Sequence, residues 1–231
     1  MKTTIKNKFL NYTIVRIVIG LVLSFAVFII AQQITGKLLD RTSIDSGMRN
    51  LIKGIIASVF VIACYILLYR KIERRKIHEL SQISFLKNAI FGITIGVIIQ
   101  ILTLLVISII GDVQILSINP VSFMLTPLAV AFSVAIFEEI LIRGIIFRIV
   151  EEKLGSVVAL VLSVIIFGGV HSFNPGSTFI STLCTAIVGY VFGAAYVYSR
   201  NLWLPIAIHF SWNFTQSGIF GAITSGNEKT T

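Results

Sequence analysis

The stretch FEEILIRGIIF, residues 137–147, places three charged side chains inside a run of apolar residues. Glu139 and Arg143 are four residues apart, so on a helix they share a face and can form an ion pair. That pairing offsets part of an insertion cost of roughly 2.5–3.5 kcal/mol per central charge in a membrane. Glu138 projects about 100° away around the helix, where its neighbours one turn on are apolar. We therefore expect Glu138 to meet a partner from another segment, a metal ion or water.

Two of the three histidines lie in other apolar segments. His171 ends the segment FGGVH, one helical turn after Phe167, and His209 lies in HFSWN, four residues before Asn213. The third, His78, lies in a basic loop and is expected to face solvent. A single intramembrane histidine, amide or Glu–Arg pair is usually structural, because it bonds a neighbouring helix or fixes its register. The combination of these groups on three segments, at four-residue spacings, predicts a functional site.

The chemistry of this set is that of water activation. A carboxylate and a neutral imidazole can act directly as general bases, or through a divalent metal that lowers the pKa of bound water to about 7. The amide of Asn213 and a second imidazole can donate hydrogen bonds to a developing oxyanion, worth about 2.7–4 kcal/mol per donor. No serine or cysteine is placed as a convincing nucleophile. The set predicts hydrolysis of an amide bond inside a membrane cavity.

The composition defines the elements that must position these residues. The chain has 231 residues, of which 56% are hydrophobic and 13% charged, a more apolar balance than soluble domains show. Because a span needs roughly 20 mostly apolar residues, we predict an all-α polytopic membrane protein. The seven candidate spans are about 14–32, 51–69, 87–110, 121–147, 155–172, 178–198 and 202–220. Short connections predict one transmembrane domain over 1–231, with the motif core at about 121–220.

The net charge of +9 has a distribution typical of membrane topology. Basic residues follow the second predicted span in RKIERRK, residues 70–76, and recur at the N-terminus as Lys2, Lys6 and Lys8. The loop around Asp112 has none, so the positive-inside rule predicts a cytoplasmic N-terminus. Nucleic acid is not expected as a partner, since no aromatic residues are interleaved with these charges, whereas membrane lipid is. The first loop is basic too, which leaves room there for an eighth, re-entrant or interfacial element.

The two cysteines have no predicted role in a disulfide or a metal site. Cys64 and Cys184 both fall inside predicted spans and indicate neither a disulfide framework nor a zinc knuckle.

The straight-helix boundaries place Glu138 about 15 Å before Arg148 but His171 about 27 Å beyond Lys153, at different depths. Either the fourth helix extends past Arg148 or the fifth begins later, near residue 158.

The motifs resemble those of the CPBP intramembrane proteases, also called the CAAX prenyl protease 2 or Abi family. The family's EExxxR, FxxxH and HxxxN motifs are present here as EEILIR (138–143), FGGVH (167–171) and HFSWN (209–213). The resemblance covers about the last hundred residues and implies a membrane-embedded endopeptidase. It implies that Glu138 acts with His171 on the attacking water and that His209 and Asn213 form the oxyanion side. Glu139 and Arg143 would support the site.

The resemblance leaves the metal and the substrate open. Glu138, His171 and His209 would make an adequate catalytic zinc set, although the sequence has no HExxH helix. The expected substrate is a peptide or a lipidated protein, and the lean loops indicate a small form in a bacterial cell membrane. Two other readings stay open. The chain could be a transporter or proton relay, although it has no inverted repeat, or a catalytically silent immunity or scaffold member of the family.

Overall fold

The computed structural model describes residues 12–111 and 113–222, and every regular element in that part of the chain is helical. Lys2, Lys6, Lys8, Asp112 and the tail GNEKTT lie outside the described residues. The α-helices are α1 Thr13–Leu39, α2 Ser46–Ile72, α3 Phe85–Ile110, α4 Leu125–Glu139, α5 Arg148–His171, α6 Phe179–Ser199 and α7 Trp203–Phe214. A 3₁₀-helix, Val121–Met124, precedes α4; π-helices Ile140–Phe147 and Thr215–Ile219 follow α4 and α7.

The connection between α1 and α2 is a short turn. Asp45 caps α2, since its carboxylate accepts hydrogen bonds from the backbone N–H groups of Gly47 and Met48. Only residues 40–45 separate the two helices, and they contain no further element. The additional element that the basic first loop left room for is therefore not present there.

The segment from Leu125 to His171 is continuous in helical structure but reverses direction at Gly155. That residue has φ 79° and ψ 167°, a conformation that glycine adopts without strain from a side chain. His171 lies 3.8 Å from Glu138, although 33 residues of uninterrupted helix would separate them by about 50 Å. The bend places 16 residues, about 24 Å, on each arm. The first of the two expected boundaries is thus correct, because the helix continues past Arg148 to residue 154.

Five helical stretches are long and apolar enough to cross a membrane in the described part of the chain: Thr13–Leu39, Ser46–Ile72, Phe85–Ile110, Val121–His171 and Phe179–Ser199. The fourth stretch contains two of the predicted spans, joined at the bend. The last predicted span corresponds to α7, of 12 residues, and the five-residue π-helix after it. The all-helical polytopic membrane architecture is confirmed, whereas the predicted number of seven spans is not.

Two glycines of α3 allow the closest helix packing in the bundle. A Cβ at Gly92 would lie 2.6 Å from the Cβ of Ala207 and 2.8 Å from the carbonyl oxygen of Leu204. A Cβ at Gly96 would lie 2.6 Å from the carbonyl oxygen of Ile208. The backbones of α3 and α7 therefore touch without intervening side chains, as small-xxx-small pairs permit. This contact fixes the helix that carries His209.

The residues at the basic end of the bundle form a buried network that the sequence did not predict. We call Arg16, Glu73, Arg75, Glu79, Arg148 and Glu152 the basic-end cluster. Glu73 accepts hydrogen bonds from three of these arginines, and Arg16 and Arg148 also bond Glu152. The cluster joins the start of α1, the end of α2 and α5. Arg148 is only 8% exposed, because the network encloses it.

Candidate active site

Glu139 and Arg143 form the predicted ion pair at the junction of α4 and the π-helix. Arg143 Nη1 donates to Glu139 Oε1 at 2.8 Å, and both side chains are completely buried. Arg143 Nη2 donates to the carbonyl oxygen of Gly189 at 2.6 Å. The guanidinium also lies over the rings of Phe167 and Phe192, 5.0 and 5.5 Å from their centroids. The pair is therefore held from α5 and α6 as well as from its own helix.

His171 ends α5 with one ring nitrogen engaged by its own helix. Its Nδ1 lies 2.7 Å from the carbonyl oxygen of Phe167, and that ring packs on the imidazole with centroids 4.5 Å apart. A carbonyl oxygen only accepts hydrogen bonds, so Nδ1 carries the proton. The neutral ring then presents an unprotonated Nε2, 3.8 Å from Glu138 Oε2. This is the tautomer that a general base requires.

His209 is held between the carboxylate pair and an aromatic ring. Its Nδ1 lies 3.0 Å from Glu139 Oε1, and the ring of Phe192 stacks on it at 4.5 Å with an interplanar angle of 17°. The carboxylate accepts, so Nδ1 carries a proton here also. Nε2 points toward the other glutamate, 3.9 Å from Glu138 Oε2. Glu139 thus connects Arg143 to His209.

Glu138 Oε2 lies where the two imidazoles converge. This oxygen is buried and has no hydrogen-bond partner among the described residues. Its distances to the two Nε2 atoms, 3.8 and 3.9 Å, are too long for direct hydrogen bonds. A polar gap of this size is typical of a bridging water molecule. The site therefore has room for a water in contact with a carboxylate and two ring nitrogens.

A cavity of about 780 Å³ gives access to this gap. Glu138, His171, His209 and Asn213 all line it, whereas Glu139 and Arg143 lie behind its wall. The structure thus brings four of the predicted site residues to one surface. Of the other two, Glu139 contacts His209 from the buried side, and Arg143 contacts Glu139.

The two ring tautomers bear on the expected oxyanion role of His209. With Nδ1–H directed at Glu139, a neutral His209 has only a lone pair at Nε2. It can donate to an oxyanion only when both nitrogens are protonated. Asn213 needs no such change, because its amide always has two donors. Glu139, completely buried behind the ring, is the group placed to stabilise a protonated His209.

The donor atoms of the predicted zinc ligands lie farther apart than the ligands of a zinc ion do. Glu138, His171 and His209 supply suitable donor types, and the orphaned Oε2 of Glu138 faces both Nε2 atoms. In a zinc tetrahedron neighbouring donors are about 3.3 Å apart, which is closer than the spacing here. Within the described ranges, no group of three His, Cys, Asp or Glu side chains is placed to hold a metal ion. At these distances, the three side chains are too far apart to coordinate one zinc ion together.

Two site residues were missed by the sequence reasoning. A Cβ at Gly189 would lie 2.9 Å from Cδ1 of Phe167, so this glycine lets α5 and α6 pack closely. Its carbonyl also accepts from Arg143, which no local pattern indicates. Phe192, three residues later on α6, covers both His209 and Arg143. The only available signal was the placement of both residues on one apolar segment.

Comparison with known families supports the motif resemblance. Residues 120–215 match a family model, Rce1-like, described as type II CAAX prenyl endopeptidase Rce1-like. No curated protein and no solved structure matches the chain. The matched residues include all six predicted site residues and exclude α1, α2 and α3. Members of this family are intramembrane proteases, so the apolar helices and the family agree on an integral membrane protein. Over residues 120–215 the chain is therefore similar to the Rce1-like type II CAAX prenyl endopeptidases.

Proposed function

We propose that this protein is an intramembrane endopeptidase that uses a water molecule held between Glu138 and His171 to cleave a peptide bond. The observation that carries the proposal is the buried Oε2 of Glu138, which has no partner among the described residues and faces two imidazole nitrogens. Leaving a buried charged oxygen unpaired costs several kcal/mol in a purely structural role. A water that fills the gap removes this cost and is positioned for reaction.

The proposed step begins with transfer of a proton from the water to Glu138, assisted by His171 Nε2. The water oxygen bonds to the carbonyl carbon of the substrate, and the carbonyl oxygen becomes an oxyanion. Asn213 and a protonated His209 donate hydrogen bonds to that oxyanion. The carbon–nitrogen bond then breaks, and the proton held by Glu138 passes to the leaving amine. The products are a new carboxyl group and a new amino group.

In this proposal Glu139 and Arg143 do not touch the substrate. Glu139 accepts from the His209 ring and fixes its orientation, while Arg143 neutralises the second glutamate in the apolar interior. The substrate is a membrane-associated peptide or lipidated protein, because the cavity lies within the bundle. The activity is assigned to the free side chains without a metal, since their spacing does not close around one.

The test is cleavage of a membrane-associated peptide by detergent-purified protein without any ion gradient. A hydrolase works in micelles, whereas a transporter or proton relay needs a sealed compartment and a driving force. Glu138→Gln removes the base at nearly constant shape and serves as the blank. Cleavage at the full rate by this variant would reject the proposal and leave a transport or structural role for the polar set.

Metal removal is the second measurement. If Glu138 and His171 activate the water alone, dialysis against a strong chelator leaves the cleavage rate unchanged. A loss that stoichiometric zinc restores, with bound zinc reduced by His171→Ala or His209→Ala, would assign water activation to zinc at these residues. Bound zinc is measured directly by elemental analysis, which does not depend on activity.

A further inference from the structure

The cavity occupies only one end of the bundle. Its lining comes from the C-terminal halves of α3 and α4, from α6 between Ser181 and Phe192, and from the end of α7 with the residues after it, together with Phe167 and His171 on α5. Residues 174–177, in the loop between α5 and α6, line its mouth. Most of these positions lie nearer to the opposite end of their helices than to the end at the Gly155 bend. The mouth and the bend therefore lie at opposite ends.

The contacts of the basic-end cluster identify the helix termini that lie at the bend. Arg16 near the start of α1 bonds Glu73 after α2 and Glu152 beside the bend. Arg200 after α6 bonds Glu151. The backbone N–H of Leu202, before α7, donates to the carbonyl oxygen of Glu79. This end thus contains the starts of α1 and α7, the ends of α2 and α6, and the bend.

Lysine and arginine are concentrated at the same end. Ten described basic residues lie there: Arg16, Arg70, Lys71, Arg74, Arg75, Lys76, Lys87, Arg148, Lys153 and Arg200. Four lie toward the mouth end, Lys37, Arg41, Arg49 and Lys53, near the acidic residues Asp40 and Asp45. Short loops rich in Lys and Arg remain in the cytoplasm. The charge distribution therefore orients the bend toward the cytoplasm.

We propose that the catalytic cavity opens on the extracytoplasmic side of the membrane. This inference names the side from which substrate reaches the site, and in that respect it rests on the proposed function. The orientation itself rests only on charge and cavity position. The peptide bond that is cleaved must then be presented from the outer leaflet or from the extracytoplasmic space.

The surroundings of the mouth indicate the class of peptide. Exposed apolar side chains follow the cavity residue Val113 and flank the mouth loop: Ile115, Leu116, Ile118, Phe173 and Phe179 are each more than 80% exposed. Such a rim fits the interfacial region of a lipid leaflet. Apart from Glu138 and the two histidines, the described lining residues carry no charged side chains. The substrate is therefore an apolar or amphipathic peptide associated with the outer leaflet, neutral at the cleaved segment.

Cysteine accessibility tests the orientation without requiring activity. Cys184 lines the cavity and is the natural probe in a Cys64→Ser background. In the Cys64→Ser/Cys184→Ser background, Pro175→Cys reports the mouth and His78→Cys reports the basic loop. A charged, membrane-impermeant maleimide is applied to right-side-out and to inverted membrane vesicles. Leu183→Cys is the matched control, because it neighbours Cys184 and is exposed but does not line the cavity.

The proposal expects Cys184 and Pro175→Cys to be labelled in right-side-out vesicles only and His78→Cys in inverted vesicles only. Leu183→Cys should remain unlabelled in both, since a lipid-facing thiol does not meet the charged reagent. Labelling of Cys184 and Pro175→Cys from the inverted side would overturn the proposal. So would labelling of His78→Cys together with Pro175→Cys from one side.

The substrate side is tested with a fluorogenic peptide of neutral, mostly apolar residues that carries a sulfonated, membrane-impermeant dye. Cleavage is expected in right-side-out vesicles and not in inverted ones, and Glu138→Gln is the blank. Faster cleavage in inverted vesicles overturns the assignment of the substrate side. If the labelling pattern holds but neither preparation cleaves the peptide, the orientation stands and the proposed proteolysis is what fails.

Discussion

The molecule contains two buried clusters of charged side chains, and they differ in how completely their atoms are paired. In the basic-end cluster, each arginine bonds at least one glutamate, and Glu73 alone accepts from three arginines. None of its atoms is among the unsatisfied buried atoms of the described residues. The candidate-site cluster consists of Glu138, Glu139, Arg143, His171 and His209. In it, Glu138 Oε2, Glu139 Oε2 and Arg143 Nε are buried without a partner among the described residues.

This difference separates charges that stabilise the fold from charges that are available for chemistry. Buried ion pairs are tolerated only when additional hydrogen bonds satisfy their remaining atoms. The basic-end cluster meets that condition with its own side chains. The candidate-site cluster meets it only in part, which leaves Glu138 Oε2 able to accept a hydrogen bond from a water molecule.

The largest expected effect is on activity, for Glu138→Gln compared with Glu152→Gln. Loss of the general base should lower kcat by about 10²–10⁴-fold and leave the amount of folded protein in the membrane unchanged. Glu152 is paired at the basic end, but its side chain is 40% exposed. Glu152→Gln should therefore change both kcat and the amount of folded protein only slightly. The measurements are initial cleavage rates at equal protein concentration and thermal unfolding in detergent. Equal kcat losses would show that the two clusters do not differ in function.

Glu139→Ala and Glu138→Ala should differ in protein abundance. Removing Glu139 strands the completely buried Arg143 and releases His209, which should destabilise the fold by about 3–5 kcal/mol and abolish activity. Glu138→Ala removes a carboxylate whose buried Oε2 has no partner among the described residues, so the variant should remain abundant but inactive. Membrane-fraction levels and unfolding temperatures decide between these outcomes. Equal abundance of the two variants would contradict separate roles for the pair.

The parts of the site that the sequence predicted are those held by local geometry. The Glu139–Arg143 pair and the packing of Phe167 on His171 both follow from a four-residue spacing. The Glu139–His209 contact joins residues 70 positions apart, so it depends on how α4 and α7 pack. No periodicity in either helix contains that information. The family motif supplied it only as an implied role.

The basic-end cluster shows why the remaining interactions were missed. Arg16, Glu73 and Arg148 are separated by 57 and 75 positions, and each alone fits a solvated loop or a topology signal. Their pairing requires the reversal at Gly155, which brings α5 back beside α1 and α2. The sequence around this glycine is compatible with a continuous helix or a loop, so the predicted boundary was open. Once the bend is placed, both clusters follow from it.

Acid should weaken the basic-end cluster through its two loop carboxylates. Burial alone would raise the pKa of Glu73, but hydrogen bonds from Arg148, Arg75 and Arg16 outweigh it and lower that pKa. For Glu79, burial is likewise outweighed by hydrogen bonds from Arg75 and Tyr65, so its pKa is also lowered. The folded protein binds these protons less readily than the unfolded chain. The stabilisation is therefore complete above the ordinary glutamate pKa of about 4.3 and is lost as the pH falls through the lowered values.

The measurement is the unfolding temperature in detergent between neutral pH and about pH 3.5, a range that includes the ordinary glutamate pKa. Glu79→Gln should lower stability at neutral pH and flatten the decline in acid, since one of the two titrating groups is gone. Glu151→Gln is the control, because Glu151 pairs with the exposed Arg200 outside the cluster. If the unfolding temperature of Glu79→Gln falls with acid as steeply as that of the wild type, Glu79 does not contribute to the loss of stability in acid.

The smallest expected effect concerns two tyrosines one turn apart on α2. Both Tyr65 and Tyr69 are completely buried, and each places its hydroxyl near a backbone carbonyl. Tyr69 donates to the carbonyl of Arg16 at 3.1 Å, on α1. Tyr65 lies 3.0 Å from the carbonyl of Gly144, in the π-helix beside Arg143, and also bonds the carboxylate of Glu79.

Tyr65→Phe and Tyr69→Phe should each lower stability by about 0.5–1.5 kcal/mol, the usual worth of one hydrogen bond. A hydroxyl has one proton, and the carboxylate of Glu79 is the stronger acceptor for it. Tyr65 therefore holds Glu79, whose carboxylate lies 3.8 Å from Arg148 Nε. That Nε donates to the Gly144 carbonyl at 3.0 Å, so Tyr65 is linked to the π-helix through Glu79 and Arg148. Loss of this link should lower kcat at unchanged KM, whereas Tyr69→Phe should leave kcat unchanged. If both variants keep the wild-type kcat, the basic-end cluster stabilises the bundle without positioning Glu139 and Arg143.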